Sequence, residues 1–226
     1  LTMKAREKYR RFLTGGKVVQ PNICVLENIS IDPEDLSAYM DKVGRDLFSG
    51  GLQGVVNQWE EADNFGSLIR PLVTDVSEVL ELLRERQMGE DLFLAGVHQK
   101  VLTALRQADY LSPKYHVVVA NPPYMGWRNS NPVLKSHLSE SFPNAKSDLF
   151  ASFIQRAVEF AVPDATIAMV TMHSWMFLSA YEALRKHILQ STHVVSMAHL
   201  GARAFDTIGG EVVSTTAFVL ENTSRT

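Results

Sequence analysis

Residues 115–126, Tyr-His-Val-Val-Val-Ala-Asn-Pro-Pro-Tyr-Met-Gly, constrain this chain more than any other stretch. Val117, Val118, Val119 and Ala120 are apolar without alternation, the pattern of a strand buried on both faces of a parallel sheet. Pro122 and Pro123 lack the N–H that a ladder needs, so the strand must end sharply. Asn121 and Tyr124 are then left at the carboxyl end of a central strand, the edge where open α/β sheets bind their ligands.

The parts of Asn-Pro-Pro-Tyr suit one kind of chemistry. An exocyclic amino group on a purine is a poor nucleophile, because its lone pair is delocalised into the ring. Two acceptors that take hydrogen bonds from its N–H groups would draw the nitrogen towards tetrahedral geometry. Asn121 offers a carboxamide oxygen, and Pro122 a main-chain carbonyl with no N–H beside it. Tyr124 offers a flat face on which a base extruded from a helix can stack. The plain alternative is a Pro-Pro turn that happens to follow a strand.

These residues match the motif of S-adenosylmethionine-dependent amino-methyltransferases, mainly adenine-N6 DNA methyltransferases. Four stretches carry a closer resemblance: Asn-Pro-Pro-Tyr-Met-Gly, Lys-Ser-Asp-Leu-Phe from Lys146, Met-Val-Thr-Met-His-Ser-Trp-Met-Phe from Met169, and His-Leu-Gly-Ala-Arg-Ala-Phe-Asp from His199. Together they resemble the PglX-like methyltransferases of BREX phage defence, which are similar to the methyltransferase half of type IIG restriction enzymes. The likeness is strong over residues 115–220 and weaker before them. It implies a Rossmann-like fold, S-adenosylmethionine as methyl donor, double-stranded DNA with a flipped adenine as substrate, and other phage-defence proteins as possible partners.

The totals fit that reading without requiring it. At 226 residues, 46% hydrophobic and 21% charged, the chain has the size and composition of one globular domain. The net charge of −3 argues against an autonomous DNA-binding module, though not against a catalytic core whose grip on DNA lies elsewhere. No run is long enough to span a membrane and no signal peptide opens the chain. The single cysteine, Cys24, excludes an internal disulfide and fits a reducing cytoplasm. The seven histidines show no ligand spacing, so no metal site is expected.

Residues 1–13 have a helical stripe but neither a cap nor an initiator Met, which suggests an N-terminally incomplete fragment. Gly15-Gly16 follows that helix and suits a helix stop, not a cofactor turn. Residues 23–26 suit a strand with Glu27 and Asn28 at its end. By the resemblance these two could bond the cofactor adenine; otherwise they are a solvated strand end. Residues 32–110 read as a helical insertion beside the sheet, opening with Asp32 as cap and Pro33 at the first helical position. Within it, Trp59 and Phe65 suit core packing, or else a partner surface. The catalytic half occupies residues 115–221, giving a single domain over 1–226.

Residues 127–144 read as a polar loop, either a lid carrying Arg128, Lys135 and His137 or an ordinary solvated connection. An amphipathic helix follows, capped by Ser147, with Asp148 favourably placed in its first turn. By the resemblance, Phe153 on this helix and Pro123 sandwich the cofactor adenine; Phe153 serves equally well as core. Strands are expected at 165–172, 193–199 and 211–221, the last antiparallel. His173, Ser174 and Trp175 leave the second strand on the Asn121 edge, and Ser179 with Glu182 suggests a capping box. Phe205, in the loop at 200–210, is by resemblance the aromatic that stacks on the flipped adenine.

The fold expected is therefore α/β: a mainly parallel sheet with an antiparallel last strand and helices on both faces. By comparison with similar proteins, the Gly-rich cofactor turn and two neighbouring strands are absent. An open edge beside residues 117–120 is expected, with S-adenosylmethionine bound about a hundredfold more weakly by the chain alone. Two other functions share these residues. Glutamine-N5 protein methyltransferases use the same motif on a similarly deactivated carboxamide. A catalytically inactive interaction module would keep the fold without the reaction.

Overall fold

The computed structural model describes residues 22–44, 52–86, 91–201 and 214–223. Four strands form one mixed sheet in the order β1-β2-β4-β3: β1 (Tyr115–Ala120), β2 (Ala161–Met172), β3 (His193–Gly201) and β4 (Thr215–Glu221). β1 and β2 pair in parallel, and β4 pairs antiparallel to both β2 and β3. Three strands thus point the same way, and Ala120, Met172 and Gly201 end on one edge. β1 is an edge strand among the described residues, not the central strand its sequence suggests, and it has the expected open side.

One face of the sheet is closed by α7 (Leu149–Phe160) and α8 (Glu182–Ser191). Phe150, Ile154, Leu184 and Ile188 pack there with Ile167, Met169, Phe218 and Leu220. Among the described residues no helix covers the other face, where the sequence leads one to expect helices on both sides. Val117 is 61% exposed and Val119 75%, while Val118 and Ala120 between them pack against the core. An unbroken Val run cannot separate burial on two faces from burial on one, because β-branched residues favour either. Asp164 adopts a left-handed φ of 62° near the start of β2, where its N–H donates to the Asn222 carbonyl at 2.9 Å.

Ahead of the sheet lie α1 (Pro33–Val43), α2 (Leu52–Asn57), α3 (Ala62–Phe65), α4 (Ser77–Glu85) and α5 (Leu92–Leu111). Their apolar stripes meet in a second core, with Leu36, Tyr39, Val56, Trp59, Leu83 and Val101 buried. Asp91 caps α5, its carboxylate accepting from the N–H groups of Phe93 and Leu94, both at 3.1 Å. The Tyr39 hydroxyl meets His98 Nδ1 at 2.8 Å inside this core. Burial pushes the Tyr39 phenol up to about 12 and holds the His98 imidazole below its ordinary value.

Three local expectations are corrected. Residues 23–26 form no strand; Ile23 and Val25 are 68% and 70% exposed. The residue that follows them is held from α5 instead: Gln107 accepts from the Glu27 N–H and donates to the Glu27 carbonyl at 3.2 Å. The loop expected at 127–144 is largely helical. It contains α6 (Pro132–Ser141), capped by Asn131 through the Leu134 N–H at 2.8 Å and buried through Leu134 and Leu138. Ser179 and Glu182 make no capping box: Ser179 begins a short 3₁₀ turn, and Glu182 pairs with Lys186 at 2.8 Å.

Arg156 of α7 joins the two cores. Its buried guanidinium donates to the carbonyls of Ser67 at 3.0 Å, Ile69 at 2.9 Å and Leu111 at 3.2 Å. Glu159 accepts from Arg70 at 2.8 Å and from Arg156 at 3.3 Å. Burial alone would raise the Glu159 pKa, but the two guanidiniums outweigh it and hold the carboxyl below its usual range.

Candidate active site

The β1 ladder ends where Ala120 pairs with Met169, and the next residue leaves the sheet. Asn121 and Pro123 are exposed, Pro122 is buried and Tyr124 is half-buried. The Asn121 carboxamide has no hydrogen bond to any described residue, so both its oxygen and its N–H₂ are free for a ligand. Asn121 also lines a trough of about 470 Å³ over the open sheet face, with Val119, Val170, Ser196, Met197 and Ala217. Tyr124 sets its ring edge-on to Phe150, centroids 6.2 Å apart. Its hydroxyl is buried with no hydrogen-bond partner among the described residues, and burial raises the phenol pKa. That arrangement uses the Tyr124 ring and leaves the hydroxyl idle.

After Tyr124 the chain runs back along the start of α7 and is tied to it. The Leu149 N–H donates to the Met125 carbonyl at 3.1 Å, and the Trp127 N–H donates to the Ser147 carbonyl at 3.1 Å. Gly126 and Asp148 form an isolated antiparallel bridge. The buried Asp148, not Ser147, is the cap of α7, and one of its oxygens serves two elements. Oδ1 accepts from the Phe150 N–H at 3.3 Å and from the Met125 N–H at 3.2 Å. Burial raises the Asp148 pKa, partly offset by the N–H groups of Phe150, Met125 and Leu149. Sequence reasoning gave Asp148 only a helix-dipole role. Its adjacency to Ser147 hid the cap, and its bond to Met125 has no local signal.

Phe153 lies half-buried on α7, one turn beyond this tie, and packs against the sheet core. Pro123 and Phe153 are thus carried by a loop and a helix that hydrogen-bond each other. Glu27 and Asn28 stand apart from this arrangement. Glu27 lines a groove against α5 with Cys24 and Arg106, and Asn28 Oδ1 accepts from the Asp63 N–H at 2.9 Å. The strand end that suggested their role is not formed. Phe205 lies outside the described residues.

His173, after β2, and His199, near the end of β3, share the edge of Asn121. Their rings stack with Nδ1 and Nε2 2.8 Å apart. His137 of α6 stacks on Phe65, ring centroids 4.1 Å apart. Burial holds its imidazole below the ordinary value. Among the described residues no group of three or more His, Cys, Asp or Glu could hold a metal, and no helix is long and apolar enough to cross a membrane.

The profile of the Eco57I restriction-modification methylases matches residues 78–205, more than half of the chain. The chain belongs to that family. Two curated relatives agree along almost its whole length. The adenine-specific methyltransferase PglX of Lacticaseibacillus casei (strain Zhang) is 35% identical over 98% of this chain and 18% of its own length. The adenine-specific methyltransferase BrxX of Escherichia coli O9:H4 (strain HS) is 36% identical over 98% of this chain and 20% of its own. This Eco57I-family chain therefore spans about a fifth of the relatives it matches. Among solved structures, the type IIL restriction-modification enzyme MmeI in complex with DNA overlaps 81% of this chain and 36% of its own, at 15% identity and a TM-score of 0.41. At that identity and score the overlap bears on neither fold nor activity.

Proposed function

We propose that this chain carries the methyl-transfer loop of an adenine-specific DNA methyltransferase of phage defence or restriction-modification. The observation that supports it best is Asn121: exposed, free of hydrogen bonds to described residues, and fixed between the end of β1 and the buried Pro122. Asn121 Oδ1 and the Pro122 carbonyl take the two N–H groups of an extruded adenine, while the Tyr124 ring supports its face. S-adenosylmethionine, when bound, would supply an electrophilic methyl carbon: the N–C bond would form as the S–C bond breaks, the thioether S-adenosylhomocysteine would leave, and the alkylated nitrogen would give up a proton to solvent. Exposed Pro123 and half-buried Phe153 offer apolar surface to the cofactor's purine, and Phe205 is assigned to the target base. The residues present fit that ligand through their flat, uncharged surfaces. The work of the site is orientation, since reacting groups held in line need no general base before attack. The helices between residues 32 and 110 are read as an insertion beside the sheet.

Labelled-methyl transfer by the full gene product, offered duplex DNA and separately a protein extract, tests the substrate. Label in DNA N6-methyladenine is expected. Label in protein glutamine would instead assign the glutamine-N5 reaction. Asn121→Ala is expected to lower transfer by at least about a hundredfold, the scale for losing an orienting group at a reacting centre. Retention of more than a few per cent activity would remove Asn121 from the mechanism.

A further inference from the structure

We propose that Asp148 is a positioning residue for methyl transfer, holding the Asn121–Tyr124 loop in its working place through the Met125 N–H. The inference rests on the function proposed above and names a residue to which that reading gave no part. Two main-chain hydrogen bonds already run between the loop and the start of α7, Leu149 to Met125 and Trp127 to Ser147, and together they make the Gly126–Asp148 bridge. Both lie at or beyond Met125, on the far side of Tyr124 from Asn121. The bond from the Met125 N–H to Asp148 Oδ1, at 3.2 Å, is the side-chain hydrogen bond nearest the motif among the described residues. The same oxygen caps α7 through Phe150, whose ring meets Tyr124. One buried carboxylate therefore sets three things together: the exit of the motif, the first turn of α7, and the aromatic beneath Tyr124. Asn121 has no such support of its own, so its aim depends on the loop that carries it.

The cap and the tie can be separated. Asp148→Ser keeps a capping oxygen, but one bond shorter, too short to reach Met125 while serving Phe150. Asp148→Asn keeps an oxygen in the original place. Asp91→Ala removes a comparable cap from α5, far from the motif, and serves as control. In the full gene product, Asp148→Ser is expected to keep its melting temperature near wild type and lose about thirty- to a hundredfold in single-turnover rate, the scale of a small misplacement at a reacting centre. KM for DNA should change little, and Asp148→Asn should restore most of the rate. Asp91→Ala should lower melting temperature without lowering the rate of folded enzyme. A wild-type rate in Asp148→Ser, an Asp148→Asn as slow as Asp148→Ser, or an equal rate loss in Asp91→Ala would each overturn the proposal. Asn121→Ala, measured alongside, separates the two levels. If it stays active, the proposed site is wrong; if it is inactive while Asp148→Ser is fast, only the tie is wrong.

Discussion

The helical region and the sheet region bury their apolar residues differently. In the helical region the stripes of α1 to α5 turn inward on one another, and Tyr39, Val56, Trp59, Leu83 and Ala104 are fully buried. In the sheet region α7 and α8 seal one face, while Val117 and Val119 stand open on the other. Helices close a core with one another, but a sheet needs a cover for each apolar face. The closed region has its stability to lose and little reactive surface. The open region carries the free Asn121 and the apolar trough beside it.

The largest expected effect is inside the closed core. Trp59→Ala should cost about 3–5 kcal/mol in urea unfolding, as for other buried aromatics, whereas Trp59→Phe should be mild because the indole N–H has no partner among the described residues. Equal costs for the two would mean that the indole is held by something other than packing. Next is the joint between the regions. Arg156→Met should cost about 3 kcal/mol, because three buried carbonyls lose their donor, and should split one unfolding transition into two. A single unshifted transition would show that the cores are coupled elsewhere.

A smaller effect follows from pH. His98 and His137 are held neutral by burial, with pKa values below 6.5, so the unfolded chain binds protons that the folded chain refuses. Stability should therefore fall as pH drops below 6.5, by no more than about 1.4 kcal/mol per pH unit for each histidine. His98→Gln should flatten part of that slope; an unchanged slope would assign it to other groups. The smallest effect is on the open face: Val119→Ser should change stability by less than about 0.5 kcal/mol, as at other exposed positions. A cost above about 1 kcal/mol would mean that this face is covered in solution.

The sequence shows β1 to β4 well, because each is an apolar run bounded by a turn or cap, and the Asn-Pro-Pro-Tyr turn follows from two prolines that cannot extend a ladder. Other features depend on partners distant in sequence. Residues 23–26 have the composition of a strand, but the next residue, Glu27, gives its backbone to Gln107, 80 residues away. α6 carried a legible start, Asn131 before Pro132, that the polar residues around it obscured. The Asp148 cap lies one residue from the expected one, and pattern alone cannot separate two adjacent capping residues. Asn121's freedom from hydrogen bonds could not be read at all, since it is a property of what does not approach it.

The position of β4 sets an order of assembly. It lies between β2 and β3, yet it follows both in the chain, and β3 pairs with no other described strand. As the chain emerges from a ribosome, β1 and β2 can pair as soon as β2 has followed α7. β3 must then wait beside α8 until β4 arrives and bonds on both sides at once. Such late, non-local closure is slow, and until it happens the edges of β2 and β3 are both unpaired. A substitution that weakens β4, such as Phe218→Ser in its buried centre, should therefore show first as aggregation during synthesis, before any loss of transfer is measured.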